Sequence, residues 1–268
     1  MPKPSWTATS AIACAVALTL EVIAVTGWFR ANALPPVEQA LLVQAALPTP
    51  LPAAIGVQEV QPAAAELPLR VQDGYYAQLR SRIHWVETRI GNDKLLTPDS
   101  NSRVLLAQSA AERAGLQQVG LSFRDVYGII NAETSWIPRL GASKDGTPNL
   151  GLAQFEPATA RALGLRNPND PVEAIHVAAL HMKEAAEWSA NRIAGLKLGA
   201  EDRAEKLREG VSIFYNLSSK GRNRWDGTNT AKLPIETQLH IRNARTGAQF
   251  AAELDARQAS SGFMLTGG

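Results

Sequence analysis

The chain has 268 residues, 45% apolar and 19% charged, which is enough for one globular core beside a targeting segment and a linker, and too apolar for wholesale disorder. Its 27 basic and 25 acidic residues leave a net charge of +2, without the concentrated basic field of a nucleic-acid binder, which sets nucleic acid aside as a partner. A single cysteine, Cys14, rules out an intrachain disulfide framework and a cysteine-based metal site.

The first element is an apolar run over residues 11–29, behind Lys3, broken by Glu21 and closed by Arg30. Its length fits either an export signal or a spanning helix, which needs about 20 residues. Ala31-Asn32-Ala33 offers a small-x-small cleavage pattern. Residues 1–33 are therefore expected to be a signal peptide or an uncleaved inner-membrane anchor, with the rest of the chain in the periplasm. Cys14 is no lipidation site, because the apolar run follows it instead of preceding it. Residues 34–70 carry seven prolines and almost no charge, and are expected to be a linker. Fully extended in polyproline II form, such a tether reaches on the order of 100 Å.

From Val71 the punctuation is that of helices, and the expected fold class is all-α over 71–250, with a flexible tail over 251–268. Tyr75, Leu79, Ile83 and Val86 recur at helical spacing, as do Val104, Ala107, Ala111 and Ala114 before a stop at Gly115; all are expected in the core. Asp170-Pro171-Val172-Glu173 predicts a helix start, with Asp170 as cap, Pro171 in the first helical position and Glu173 completing a capping box. That helix runs towards Ile193.

Three stretches carry chemistry. In the first, which starts at Phe123, Val126, Ile129 and Ile130 form an apolar stripe whose next position, i+7, is Glu133, just before Pro138. A glutamate on an inward face is either paired or functional. The second stretch runs from Asn149 to Ala160, where Pro157 suits the first position of a short helix ending at Leu163-Gly164. There Gln154 either presents its amide to a polar ligand or braces the turn. In the third, Phe214-Tyr215-Asn216 ends a helix with a polar pair beside aromatic surface, as sugar sites often do.

Together these stretches resemble the lytic transglycosylase domain of the soluble and membrane-bound murein transglycosylases, which is related to goose-type lysozyme. The resemblance covers roughly residues 102–245. Glu133-Thr134-Ser135-Trp136-Ile137-Pro138 is similar to the family's Glu-Ser-x-(Phe/Trp)-x-Pro, and implies Glu133 as the catalytic acid/base with Thr134 beside it. Gly151-Leu152-Ala153-Gln154 resembles Gly-Leu-Met-Gln, and implies that Gly151, Leu152 and Gln154 line a saccharide cleft. Tyr215-Asn216 resembles Ala-Tyr-Asn-Ala-Gly, and implies that Tyr215 supports Glu133 while Asn216 shapes the site. Pro234-x-Glu236-Thr237-x-x-His240 resembles Pro-x-Glu-Thr-x-x-Tyr-Val, and implies that His240 contacts substrate from the tyrosine position. The chain departs from the pattern at Thr134, at Pro148-Asn149 before Gly151, at Leu217-Ser218 after Asn216, and at His240.

The resemblance implies a lysozyme-like fold and cleavage of the β-1,4 bond between N-acetylmuramic acid and N-acetylglucosamine by a single carboxyl, giving a 1,6-anhydromuramoyl product with no metal or organic cofactor. The implied partner is the peptidoglycan glycan strand. Two alternatives stand beside it: a hydrolytic muramidase on the same fold, and a non-catalytic murein-binding component of a secretion or pilus machine.

Overall fold

The computed structural model describes residues 69–143 and 145–265. The expected export or anchor segment and nearly all of the expected linker lie outside them. Among the described residues no helix is long and apolar enough to cross a membrane. Residues 141–146 fall outside the main compact unit, and among them Gly146 N donates to Ser143 O at 2.9 Å. The main unit comprises the described residues 69–140 and 147–265.

Helices dominate it, as expected. In chain order they are α1 (Leu69–Arg80), α2 (Ser100–Ala114), α3 (Phe123–Thr134), α4 (Pro157–Ala162), α5 (Pro171–Ile193), α6 (Ala200–Asn216), α7 (Ser219–Arg222) and α8 (Ile235–Leu265). The first helix begins two residues before the expected boundary at Val71.

One expectation fails between α1 and α2. The stripe through Val86 was to continue a helix, but α1 stops at Arg80 and an antiparallel hairpin follows, β1 (Trp85–Ile90) with β2 (Asp93–Pro98), in register from Trp85↔Pro98 to Ile90↔Asp93. Val86 is 43% exposed there, while Ile83 stays buried. The reason lies in local chemistry. Trp85, Val86, Thr88 and Ile90 favour the pleated backbone, and Gly91-Asn92 supplies a two-residue turn with Gly91 at a φ of 60°.

Helix ends follow the sequence signals more closely. Asp99 accepts from Ser102 N to start α2, and Gly115 ends it in the left-handed region, with Val104, Ala107, Ala111 and Ala114 all buried. Ser122 and Asp125 form a full capping box at the start of α3. Asp170 caps α5 through Val172 N, but Glu173 does not close the expected box. The Asp170 amide that Glu173 would have to reach already donates to Asn167 O at 3.0 Å. Glu173 instead accepts from the backbone N and Nε of Arg166, both at 2.9 Å.

The 23-residue helix α5 runs through the core against α2 and α6. A smaller cluster of Ile193, Ile213, Trp225 and Leu233 sits at its C-terminal end. The long α8 packs along α3. Its inward stripe, Thr237, His240, Ala244, Gly247 and Ala251, is buried throughout at helical spacing. Ala251 is fully enclosed, and the helix continues beyond residue 250 to Leu265.

Candidate active site

The site is built around the C-terminal end of α3. Val126, Ile129 and Ile130 bury the helix on its core face, and the same stripe delivers Glu133 at the last turn, with its side chain only 16% exposed. What lies opposite is decided by two glycines. A Cβ on Gly128 would stand 2.3 Å from Ala244 O, and one on Gly247 would stand 2.6 Å from the Asn131 side chain. With neither Cβ present, α3 and α8 cross in backbone contact, and Asn131 Nδ2 adds a hydrogen bond to Asn243 O at 3.2 Å. One turn before that crossing on α8, His240 Nε2 lies 2.8 Å from Glu133 Oε1. The second carboxyl oxygen, Oε2, has no hydrogen-bond partner among the described residues.

The chain leaves α3 under strain. Ser135 and Trp136 both adopt left-handed backbone, at φ 53° and 65°, and for a residue as bulky as tryptophan that is a true outlier. Surrounding contacts hold it: Trp136 is fully buried against Tyr127, with ring centroids 4.8 Å apart, and its carbonyl accepts from Thr97 at the base of the hairpin. The turn after Pro138 brings Arg139 back, so that its Nη2 donates to Glu133 O at 2.8 Å, a cation on the last carbonyls of the helix. Burial pulls the Arg139 pKa down, and the nearby Glu133 charge opposes that shift.

The second stretch forms a tight turn beneath Glu133. Leu150 N donates to Phe155 O at 3.1 Å, and Gly151 is at φ 69°, where a Cβ would fall 2.0 Å from Pro168 O. Only glycine fits that approach. Thr134 Oγ1 donates to Leu152 O at 3.0 Å, tying the turn to α3. Gln154, itself left-handed at φ 50°, donates its amide to Gly151 O at 2.7 Å and to Arg139 O at 2.9 Å. Of the two roles open to it, the amide performs the bracing one. Thr134, Gly151 and Leu152 are buried, so they form the frame of the site and not a surface that a ligand touches.

The structure therefore brings Glu133, Thr134, Gly151, Leu152, Gln154, Tyr215 and His240 together, with changed partnerships. Tyr215 was implied as the support of Glu133, but its hydroxyl donates to Ala153 O at 3.4 Å, and its nearness to Glu133 is felt only as charge. Burial first, and then that charge, push the Tyr215 hydroxyl pKa well above its ordinary value. The ring packs on Phe155 and His181, in an aromatic floor that continues to Phe214 and Trp188. Asn216 is exposed, and its Oδ1 accepts from Thr237 Oγ1 at 2.9 Å, one turn from His240.

Glu133 stands apart from the other enclosed acids. Asp125 is satisfied by Ser122 and Arg208, Glu173 by Arg166, and Glu209 by Lys206 and Thr230. Each of those is a structural ion pair. Glu133 has a ring nitrogen on one oxygen, a cation at its backbone, and partial access to solvent. That is the arrangement expected of a carboxyl that exchanges protons with a ligand.

Part of the chain is similar to a transglycosylase. Over 71 residues it is 37% identical to the protein named "Transglycosylase" of Enterobacteria phage PRD1, a match covering 26% of this chain and 26% of the phage protein. The chain thus matches about a quarter of that relative's length. No family model matches the chain, and no solved structure matches it.

Sequence reasoning missed Arg139, the Gly128–Gly247 crossing and the Glu133–His240 bond. Two small residues on facing helices are a readable signal for close approach, but which helices face each other is not written in either segment. Arg139 carried no signal, since a basic residue after a helix is ordinarily a solvated one.

Proposed function

We propose that the chain is a lytic transglycosylase acting on peptidoglycan glycan strands, with Glu133 as its single acid/base. The observation that carries this reading is the Glu133 carboxyl, partly enclosed, held by one oxygen against His240 and open at the other. Most glycosidases need two carboxyl groups, one as acid and one as base or nucleophile. Here the other enclosed acids are committed to cations, so a reaction that needs one carboxyl fits best.

In the first half of that reaction the Glu133 proton passes to the glycosidic oxygen as its bond to C1 of the muramoyl residue breaks, the electron pair leaving with the oxygen. In the second half the C6 hydroxyl of the same residue forms a bond to C1 and gives its proton to Glu133. The product is a 1,6-anhydro sugar, no water is consumed, and the carboxyl is restored. The charge on Glu133 between the halves lies near the Arg139 guanidinium and the His240 ring, which lower its cost. A lysozyme-like fold, a periplasmic setting reached through residues 1–33, and attachment to a secretion or pilus machine belong to the same proposal.

The test is digestion of purified murein sacculi by the full chain, with identification of the new glycan ends. Anhydromuramoyl ends are expected. Reducing muramic ends would replace the reading by that of a hydrolytic muramidase. Sacculi left intact by a folded chain would point to the murein-binding role.

A further inference from the structure

We infer that His240 is the positioning residue of Glu133: a neutral imidazole carrying its hydrogen on Nε2, which holds Oε1 and reserves Oε2 for every proton that passes to and from substrate. The inference rests on the glycan-cleaving reading only for the identity of that substrate; the pairing itself rests on geometry.

His240 is 94% buried, taking its 6% residue exposure from unity, and it sits on the inward stripe of α8. The Gly128–Gly247 crossing fixes the distance between that stripe and α3. The ring is therefore not a mobile surface group that happens to meet a carboxylate. Its Nδ1 is buried and has no hydrogen-bond partner among the described residues. A hydrogen on Nδ1 would be an N–H buried without an acceptor, and a doubly protonated ring would bury both that N–H and a charge. The tautomer with hydrogen on Nε2 avoids both, and it makes Nε2 the donor to Oε1 at 2.8 Å.

This donor has the same partner in both halves of the reaction. Oε1 accepts from Nε2 whether the carboxyl is protonated or ionised, so the hydrogen of the acid form is left to Oε2. Oε2 then releases it to the glycosidic oxygen and takes the one from the C6 hydroxyl. The other ionisable groups close to Glu133 do not compete for the task. Arg139 binds the Glu133 carbonyl, and Tyr215 donates to Ala153 O. Support implied for Tyr215 by the family pattern passes in this chain to the histidine that departs from it.

Steady-state kinetics of the full chain on defined soluble glycan strands test the role. His240→Phe keeps an aromatic ring and removes the donor, so kcat is expected to fall about 10- to 100-fold while KM changes less than about threefold, the signature of a misaligned group and not of lost binding. His240→Gln offers an amide donor that does not titrate, and is expected to recover most of the loss. An unchanged kcat in His240→Phe overturns the inference, and so does a folded His240→Gln protein as slow as His240→Phe. A second measurement is independent of activity: 15N shifts of the histidine rings at pH 7, with His240 assigned by its loss in His240→Gln. A bare Nδ1 and a protonated Nε2 whose proton moves upfield in Glu133→Leu are expected. Hydrogen on Nδ1, or no response to Glu133→Leu, overturns the pairing even if murein proves not to be the substrate. Should the His240 variants not fold, the ring whose Nε2 proton responds to Glu133→Leu is the one that donates to Glu133, and a response from none of the four histidines overturns the pairing.

Discussion

The two ends of α3 are built on opposite terms. At the start, Ser122 and Asp125 satisfy each other's backbone amides, and Arg208 Nε closes on the Asp125 carboxylate at 2.7 Å. At the other end, 12 residues later, the backbone turns through two left-handed non-glycine residues, and the buried Nδ1 of His240 and Nε1 of Trp136 have no hydrogen bond. Both ends hold an enclosed carboxyl. One is saturated and the other is held by a single oxygen. Strain and unmet polar groups persist only where the surrounding structure over-determines them, and they gather at sites of function. On the proposed reading, the contrast within one helix separates what stabilises the fold from what acts on a ligand.

The sharpest way to break that contrast is Glu133→Gln. The amide keeps the volume and can still accept from His240 Nε2, but it has no proton to give. Cleavage of murein should fall by about 10³-fold or more, with thermal unfolding within a few degrees of the unmodified chain. Cleavage above a few per cent of the original rate would remove Glu133 from its role.

The contrast extends to two buried histidines. His240 has one ring nitrogen unmet, whereas His176, 3% exposed, has both engaged: Nδ1 with Val172 O at 2.7 Å and Nε2 with Ser109 Oγ at 3.0 Å. Burial above all, opposed by the Val172 carbonyl and assisted by Arg113, lowers the His176 pKa from 6.5 to about 4. The unfolded chain therefore binds more protons than the folded one between those values. Stability from this residue is complete above about pH 6.5 and is lost as pH falls through about 4, by on the order of 3 kcal/mol in all. Chemical unfolding of the unmodified chain and His176→Gln between pH 4 and 7 should show their stability difference shrinking as pH falls. A difference flat across that range would mean that His176 is solvated.

At the satisfied end, Asp125→Ala should behave as the mirror of Glu133→Gln. It removes half of the capping box and the partner of Arg208, whose side chain is 43% exposed and so regains water. A loss of about 1–3 kcal/mol in denaturant unfolding is expected, with cleavage per folded molecule unchanged. A fall in turnover at full stability would merge the two ends and undo the comparison.

How far the sequence could be read follows the same division. The α3 stripe, the cap at Asp170, the stop at Gly115 and the place of Glu133 were legible because each rests on a local rule of spacing or backbone shape. The hairpin at Trp85–Pro98 was equally local, but the helical period through Val86 competes with the strand-favouring residues and the Gly91-Asn92 turn that follow it. The box at Glu173 failed for a tertiary reason, since Asp170 N had already been taken by Asn167. Least legible was the partner of Glu133. It depends on which face of α8 meets α3, and so on Gly128 and Gly247 jointly, 119 positions apart in the chain.

The smallest expected effect bears directly on the strain. Ser135 is exposed, stands at φ 53° as the C-terminal cap of α3, and donates its amide to Asn131 O at 2.9 Å, with no side-chain hydrogen bond among the described residues. Glycine adopts that backbone without the Cβ penalty that serine incurs. Ser135→Gly should therefore stabilise the folded state, offset in part by the greater freedom of glycine in the unfolded chain, for a net gain of about 0.5–1 kcal/mol. The same substitution two residues from Glu133 relaxes the turn that presents it, so turnover should stay level or drop by less than about threefold. Equilibrium unfolding and murein cleavage on one preparation measure both effects. A gain in stability with near-constant turnover would place the strain in the backbone of residue 135 itself. A loss of stability would mean that the left-handed turn is held in place by the serine side chain, and that the strained end of α3 is no less satisfied than the other.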